Sequence, residues 1–295
     1  MEDGSTYSPA ARVLALKMTG HVGPRTFEAL MARFLTLDNI FLASREELEE
    51  LNGIGPAKSA EIAEAAKHLE KAQAIIDQLD AIDVRTVTSI DGDYPHSLFE
   101  LNDPPPLLFY RGRLPQNEEK RVALVGSQNA SAEGIADAVR LSGRLAKAGV
   151  SIVSGLARGI DTASHIGALK AGGVSYAVLP CGINLVHPEE NGAIANELVD
   201  RGGLISEYAP DLPVNAGRLM SRNRIIVGLA QAVVIGETAP DSVGTLDAAL
   251  CCHQLGKILF VVAGRNDSHY EQLVAWGAIP LAAIDEYELI LKALV

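Results

Sequence analysis

The chain has 295 residues, 48% of them hydrophobic, with 25 Lys and Arg against 37 Asp and Glu and a formal charge of −12. That length allows one large domain with a small one, and the apolar content excludes a disordered chain. The acidic balance excludes a broadly basic nucleic-acid binder but leaves room for a local basic groove. No run approaches the roughly 20 apolar residues that span a bilayer. The opening residues 1–13 carry no secretory pattern, so a cytoplasmic protein without membrane contact is expected. Cys181, Cys251 and Cys252 show no C-x-x-C spacing, and the sequence leads to no metal site and no cofactor.

Residues 10 to about 80 read as helices throughout, with apolar residues at helical spacing in Val13-Leu14-Leu16 and Phe27-Leu30-Met31-Phe34. Two turns have a helix-hairpin-helix look: Gly20-His21-Val22-Gly23-Pro24-Arg25 and Leu51-Asn52-Gly53-Ile54-Gly55-Pro56-Ala57-Lys58. Gly53 and Gly55 permit a tight turn, and the helix start near Lys58 can hold a DNA phosphate. The other reading is a hairpin that only packs on its neighbour, given Glu46, Glu47, Glu49, Glu50, Glu61 and Glu64 around it. Residues 83–120 form a bridge: a strand-like VRTVTS, then Asp93-Tyr94-Pro95, then Pro104-Pro105-Pro106 leading into LLFYRG.

From residue 121 strand and helix alternate. Strands are predicted at Val122–Val125, Val150–Val153, Val174–Leu179, Leu204–Ser206, Ala232–Ile235 and Ile258–Val262. Helices are predicted at Gly134–Ala148, Ile160–Ala171 and Thr245–Leu255. Short apolar strands between amphipathic helices imply an α/β fold, a parallel sheet covered on both faces. The expected division is a helical module over 1–82 and a Rossmann-like domain over 83–295.

In such sheets ligands bind beyond the carboxyl ends of the strands, so the loops there carry the function. The first is Gly126-Ser127-Gln128-Asn129-Ala130-Ser131. It is not G-x-G-x-x-G, and the second strand ends in Val153-Ser154-Gly155 instead of an acidic residue, so no dinucleotide fingerprint is present. A small Gly-Ser loop at a helix start still suits a phosphate. In the second loop, Ser154 to Ala163, Gly155 and Gly159 let the backbone approach a ligand while Arg158 supplies charge. Asp161 is expected to cap the next helix, and His165 to pack it. Later come Pro180-Cys181-Gly182-Ile183-Asn184 and His187-Pro188-Glu189-Glu190-Asn191. Met220-Ser221-Arg222-Asn223-Arg224-Ile225-Ile226 reads as a helix start carrying two arginines. Cations there predict a bound anion, the alternative being solvated surface arginines. Finally, Pro240-Asp241-Ser242-Val243-Gly244-Thr245-Leu246 offers a glycine turn and a hydroxyl at a helix start.

G-S-x-x-x-S, S-G-x-A-R-G-I-D-x-A-x-H, H-P-x-x-N, L-I-S-E-Y and R-N-R-I-I, in this order, resemble the DNA-processing protein A (DprA/Smf) family over roughly residues 85–280. The resemblance implies an extended Rossmann-like parallel sheet with an N-terminal helix-hairpin-helix or SAM-like module. It further implies binding of single-stranded DNA through phosphates, a homodimer, handover of the strand to RecA in natural transformation or recombination, and no catalytic residue. Gly126, Ser127, Ser154 through Asp161, Asn191, Arg222 and Arg224 match the family's pocket positions. Gln128, Asn223, Gly244 and Thr245 complete the candidate DNA or phosphate-binding set.

The departures are Gln128 where relatives carry arginine, and Gly192-Ala193 where they often carry a basic residue. The S-G-S-[LM] turn has become Val243-Gly244-Thr245-Leu246, and the later G-x-N-x-L-I segment has become His269 to Val274. The winged-helix module that many relatives append is not expected after the last predicted helix. Two other readings are a nucleotide-sensing protein that holds a small phosphorylated ligand, and a relative of the lysine-decarboxylase-like phosphoribohydrolases. In the second, Ala248 falls where the catalytic glutamate would stand, so Asp247 or Glu237 would have to substitute.

Overall fold

A computed structural model describes residues 6–265, 268–282 and 284–294. Residues 1–5, on which the reading of the opening segment partly rests, lie outside the described residues. The chain forms two compact units, residues 1–94 with 102–109, and residues 95–101 with 110–295. The exchange between them thus falls at 95–109, beyond the division expected at 82.

The first unit contains α1 (Pro9–Met18), α2 (Pro24–Phe34), α3 (Leu37–Leu42), α4 (Arg45–Glu49), α5 (Pro56–Ala63) and α6 (Leu69–Asp80). It ends with β1 (Arg85–Thr88) and the first half of β2 (Leu107–Gly112). Helix α1 begins with Ser8, whose hydroxyl accepts from the Ala11 amide, and with Pro9, which needs no partner at that position. It is buried almost all round, including Val13, Ala15 and Leu16, as befits the central helix of a bundle. The proline cluster keeps the chain extended into β2, and the buried Tyr94 hydroxyl donates to the Pro105 carbonyl at 2.8 Å.

The second unit contains β3 (Arg121–Val125), α7 (Ala132–Lys147), β4 (Ser151–Ser154), α8 (Ile160–Lys170), β5 (Ser175–Val178), α9 (Gly192–Arg201) and β6 (Gly203–Ser206). These are followed by α10 (Ala216–Leu229), β7 (Ala232–Ile235), α11 (Val243–Gln254), β8 (Ile258–Val262), α12 (Tyr270–Ala275), β9 (Ile279–Leu281) and α13 (Tyr287–Ala293). The strands lie in the order β6-β5-β4-β3-β7-β8-β9, and each adjoining pair is parallel. Strands β3 to β7 are buried along their whole length, which is why they read as continuous apolar runs. On one face, Leu124, Ile152 and Val234 pack with Leu141, Leu145 and Ala168. Helices α7 and α8 meet at Gly167, where a Cβ would collide with the Ser142 hydroxyl and the Val139 carbonyl.

The topology positions the site. From β3 the chain winds outward through β4, β5 and β6, then returns beside β3 at β7 and winds the other way. At such a reversal the connections leave on opposite faces and open a crevice at the carboxyl ends of β3 and β7. The fold is therefore α/β with a Rossmann-like parallel sheet, as the alternation of strand and helix predicts. Among the described residues no helix is long and apolar enough to cross a membrane.

Candidate functional site

The crevice holds a cleft of about 480 Å³, lined by the loop after β3, by Ala157 and Asp161, by one side of α10 and by the start of α11. Gln128, Ala157, Leu219 and Arg222 also border a smaller hollow of about 60 Å³ that Arg158, Pro180, His187 and Pro188 complete. Of the predicted residues, Gly126, Ser127, Gln128, Arg222, Asn223, Gly244 and Thr245 line the cleft, while Gly155 and Arg158 line the hollow.

The loop after β3 is built by close backbone approach. A Cβ on Gly126 would lie 2.6 Å from Ile160 and 2.8 Å from the Glu237 carbonyl. The buried Ser127 donates its amide to that carbonyl at 2.7 Å, and its hydroxyl accepts from the Asn129 amide at 3.0 Å. The phosphate expected at the start of α7 meets an obstacle. Ser131 caps the helix, and both carboxylate oxygens of Glu237 accept from Ser131, one from its amide and one from its hydroxyl, each at 2.7 Å. An internal carboxylate holds the position that the Gly-Ser loop was expected to offer a ligand.

The loop after β4 is organised from below. Ser154 is buried and donates to the Leu124 carbonyl at 2.7 Å. Gly159 has φ +72°, and a Cβ there would collide with the Ser127 carbonyl. Gly159→Ala is expected to cost about 1–3 kcal/mol from that backbone conformation alone, read as a lower urea midpoint at unchanged slope. Asp161 does not cap α8: Gly159 occupies that position, and Asp161 lies inside the first turn. Its carboxylate instead accepts from the strand-end amides, Gly155 at 3.1 Å among them. Burial pushes its pKa up to about 6 against the opposing pull of Arg222 and of the Gly155, Gly126 and Ala157 amides.

Arg222 and Arg224 are not at a helix start. Helix α10 begins six residues before Arg222, with Asn215 accepting from the Arg218 amide as its cap, so both arginines sit in mid-helix. The expectation of an anion at the helix terminus therefore does not hold for them. Arg222 is 4% exposed and donates through Nη1 to the carbonyls of Gly155 and Val178, both at 2.6 Å. Its guanidinium lies so close over Gly155 that no side chain fits there. Burial lowers its pKa, and Asp161 opposes that shift. Arg224 donates to the Glu207 carboxylate at 2.6 Å, largely out of solvent. Asn223 donates to the Gly244 carbonyl and to Asp247, both at 3.0 Å, tying α10 to α11. Asn191 is also buried, donating at 2.8 Å to the Leu156 carbonyl and the Thr162 hydroxyl.

Arg158 differs from these. Its side chain is 62% exposed and makes a two-pronged pair with Glu190 at 2.7 and 2.8 Å. Gln128 is exposed beside it, and Gly192 faces open space. At the start of α11, Ser242 makes no side-chain cap. Among the described residues the Gly244 and Thr245 amides have no hydrogen-bond partner, and nothing lies within 4 Å of where a Gly244 side chain would be.

Sequence reasoning missed that the carboxylates of Glu190, Glu207 and Glu237 occupy Arg158, Arg224 and the start of α7; Glu237 entered only as a possible catalytic substitute. Glu190 and Glu207 lie inside quoted motifs, yet nothing local shows their partners. His165 packs, as expected: it is fully buried with Nδ1 2.7 Å from the Ser175 hydroxyl. In the first unit, Gly53 has φ +84° and Gly55 begins α5, but the Lys58 ammonium turns back to the Gly53 carbonyl at 2.9 Å. Among the described residues no group of three His, Cys, Asp or Glu could hold a metal ion.

The family model described as DNA recombination-mediator protein A matches residues 85–287. Protein Smf of Synechocystis is 32% identical over 264 residues, 88% of this chain and 66% of its own. Protein Smf of Escherichia coli is 40% identical over 172 residues, 58% and 46%. DNA processing protein DprA of Streptococcus pneumoniae is 35% identical over 175 residues, 59% and 61%. The chain thus spans about half to two thirds of the length of these curated relatives. The X-ray structure of DNA processing protein A from Streptococcus pneumoniae matches with TM-score 0.80 at 26% identity, covering 94% of this chain and 95% of that one. A structure of DNA processing protein A from Helicobacter pylori, described for its single-stranded DNA binding mode, matches with TM-score 0.63 at 26% identity, covering 72% and 97%. With a match over more than half its length and a strand-end cleft built from the same motifs, the chain belongs to the DNA recombination-mediator protein A (DprA/Smf) family.

Proposed function

We propose that the chain binds single-stranded DNA by its phosphates in the strand-end cleft, and that it passes the strand, as a cytoplasmic homodimer, to a RecA-type recombinase in transformation or recombination. The observation that carries this reading is the open start of α11, where the Gly244 and Thr245 amides have no partner among the described residues. Two free amides at the positive end of a 12-residue helix attract an anion. Arg158 supports it. Its pair with Glu190 is exposed and screened by solvent, so a strand phosphate can replace the carboxylate. Leu219, Met220 and Val243 give the cleft an apolar wall on which a base can rest. The Helicobacter pylori relative, whose structure is described for its single-stranded DNA binding mode, supports the same ligand. The Gly53-Ile54-Gly55 turn enters as an auxiliary phosphate contact.

The reading contains no chemical step. The carboxylates that a phosphoribohydrolase would need are engaged, Asp247 by Asn223 and Glu237 by Ser131. With Arg222 and Arg224 committed to protein groups, Arg158 is the cation whose removal tests binding without disturbing the core. A labelled oligothymidine titrated by anisotropy is expected to bind more weakly as salt rises. Arg158→Ala should weaken binding by about 5–10-fold and lower the log-log salt slope by about 0.7, the amount for one phosphate contact on a single strand. Gly244→Asp, which puts a carboxylate at the open helix start, should weaken it further. Absent or salt-independent binding by the parent chain would sink the reading.

A further inference from the structure

In Rossmann-type cores the phosphate of a nucleotide lies at the start of the helix that follows the first strand of the doubly wound sheet. Here that helix is α7, 16 residues long, and the position is taken by Glu237 from the end of β7. The fit is made on four sides. The Glu237 main chain is fixed because its carbonyl accepts from the Ser127 amide at 2.7 Å. Its carboxylate accepts from the Ser131 amide and the Ser131 hydroxyl, both at 2.7 Å. The Ser131 hydroxyl in turn accepts from the Gly134 amide at 3.0 Å. Gly134 has no side chain, and Glu237 Oε2 fills the volume where its Cβ would be. Among the described residues Glu237 makes no ion pair with a cation. Its carboxylate is held by one amide, one hydroxyl and the helix dipole, the kind of groups by which such a loop holds phosphate.

We propose that Glu237 is a specificity-determining residue: a built-in anion that fills the phosphate position of the β3–α7 loop, so that the core refuses free nucleotides there and leaves anion binding to the start of α11. A monophosphate entering the loop meets a fixed carboxylate instead of open amides. A strand bound by α11 and Arg158 does not need that position. The inference builds on the strand-binding reading but fails separately from it: oligothymidine binding by the parent chain tests the reading, and phosphate binding by a Glu237 variant tests the inference.

The experiment is done with α11 closed, comparing Gly244→Asp alone with Gly244→Asp plus Glu237→Ser. Calorimetric titration with inorganic phosphate and with a nucleoside 5′-monophosphate is expected to show binding at least tenfold tighter in the double variant. Its unfolding temperature should also rise in phosphate relative to chloride of equal ionic strength, while that of Gly244→Asp stays put. Glu237→Ser alone should keep oligothymidine affinity within about twofold of the parent, because the α11 contacts remain. If the double variant does not fold in chloride, phosphate is expected to restore its cooperative transition. Equal phosphate binding with and without Glu237, or a double variant that gains neither binding nor stability in phosphate, overturns the proposal.

Discussion

Arg222→Met is expected to destabilise the fold by about 3–5 kcal/mol, because it strips two carbonyls of a buried donor and leaves the buried Asp161 without a compensating charge. The guanidinium has two tasks that methionine cannot perform. It satisfies the carbonyls of Gly155 and Val178, which close the ends of β4 and β5, and each buried acceptor left bare costs about 1–3 kcal/mol. It also faces the Asp161 carboxylate, whose ionised form it favours in a site where burial opposes charge. Arg222→Lys should recover only part of the loss, because an ammonium on a flexible stem does not reproduce the planar fork over Gly155. Urea unfolding of the three proteins decides it. A loss below about 1 kcal/mol for Arg222→Met would mean that the side chain faces solvent and is available to a ligand. The outcome bears on the functional reading too. If Arg222 is scaffold, weak DNA binding by an Arg222 variant reports a damaged cleft, and Arg158 is the residue whose loss reports contact.

The fold was legible because its strands are buried on both faces. Ala232–Ile235 and Ile258–Val262 are apolar without interruption, and the observed strands coincide with them. The start of α10 was not. Asn215 is a good cap residue and precedes the helix, but Gly217 and Arg218 in its first turn carry no apolar periodicity, which becomes plain only at Ile225-Ile226. Asp161 misled in the opposite sense. An acidic residue near a helix start signals a cap, yet Gly159 takes the cap position before Ile160, and Asp161 turns inward to the strand-end amides. The cleft was legible as a set of glycine loops after strands. Which arginines are open was not, since that depends on partners 17, 32 and 67 residues away in Glu207, Glu190 and Gly155. Non-local pairs leave no periodic trace. The carboxylate on α7 is the extreme case, 106 residues from the serine that it binds.

Acid sensitivity follows from His165. The Ser175 hydroxyl donates its single proton to the Ile152 carbonyl at 3.0 Å, so at the 2.7 Å contact with His165 it must accept, and Nδ1 carries the ring proton. Nε2 is then a bare nitrogen, fully buried and without a partner among the described residues. Burial, helped by the Arg222 charge, pushes the pKa down to about 3 from an ordinary 6.5. The sign is fixed by linkage: the unfolded chain takes up this proton below pH 6.5 and the folded chain does not until about 3. The neutral ring therefore contributes stability above pH 6.5 that is lost as pH falls, by about 1.4 kcal/mol per unit. Asp161 acts the other way. Its folded pKa of about 6 lies above the ordinary 3.8, so folding gains from its protonation between those values and masks much of the His165 loss down to about pH 4. His165→Phe separates the two. At pH 7 the variant should be less stable by about 1–3 kcal/mol, because the Ser175 hydroxyl loses its donor. The gap to the parent should then shrink by about 1.4 kcal/mol for each pH unit below 6.5, and reverse before pH 4. Urea midpoints of both proteins at pH 7, 5.5 and 4 measure that gap. A constant gap would mean that the ring is hydrated or protonated in the folded state, and that the floor beneath the cleft is not the dry, charge-balanced layer that Asp161, Arg222 and His165 form.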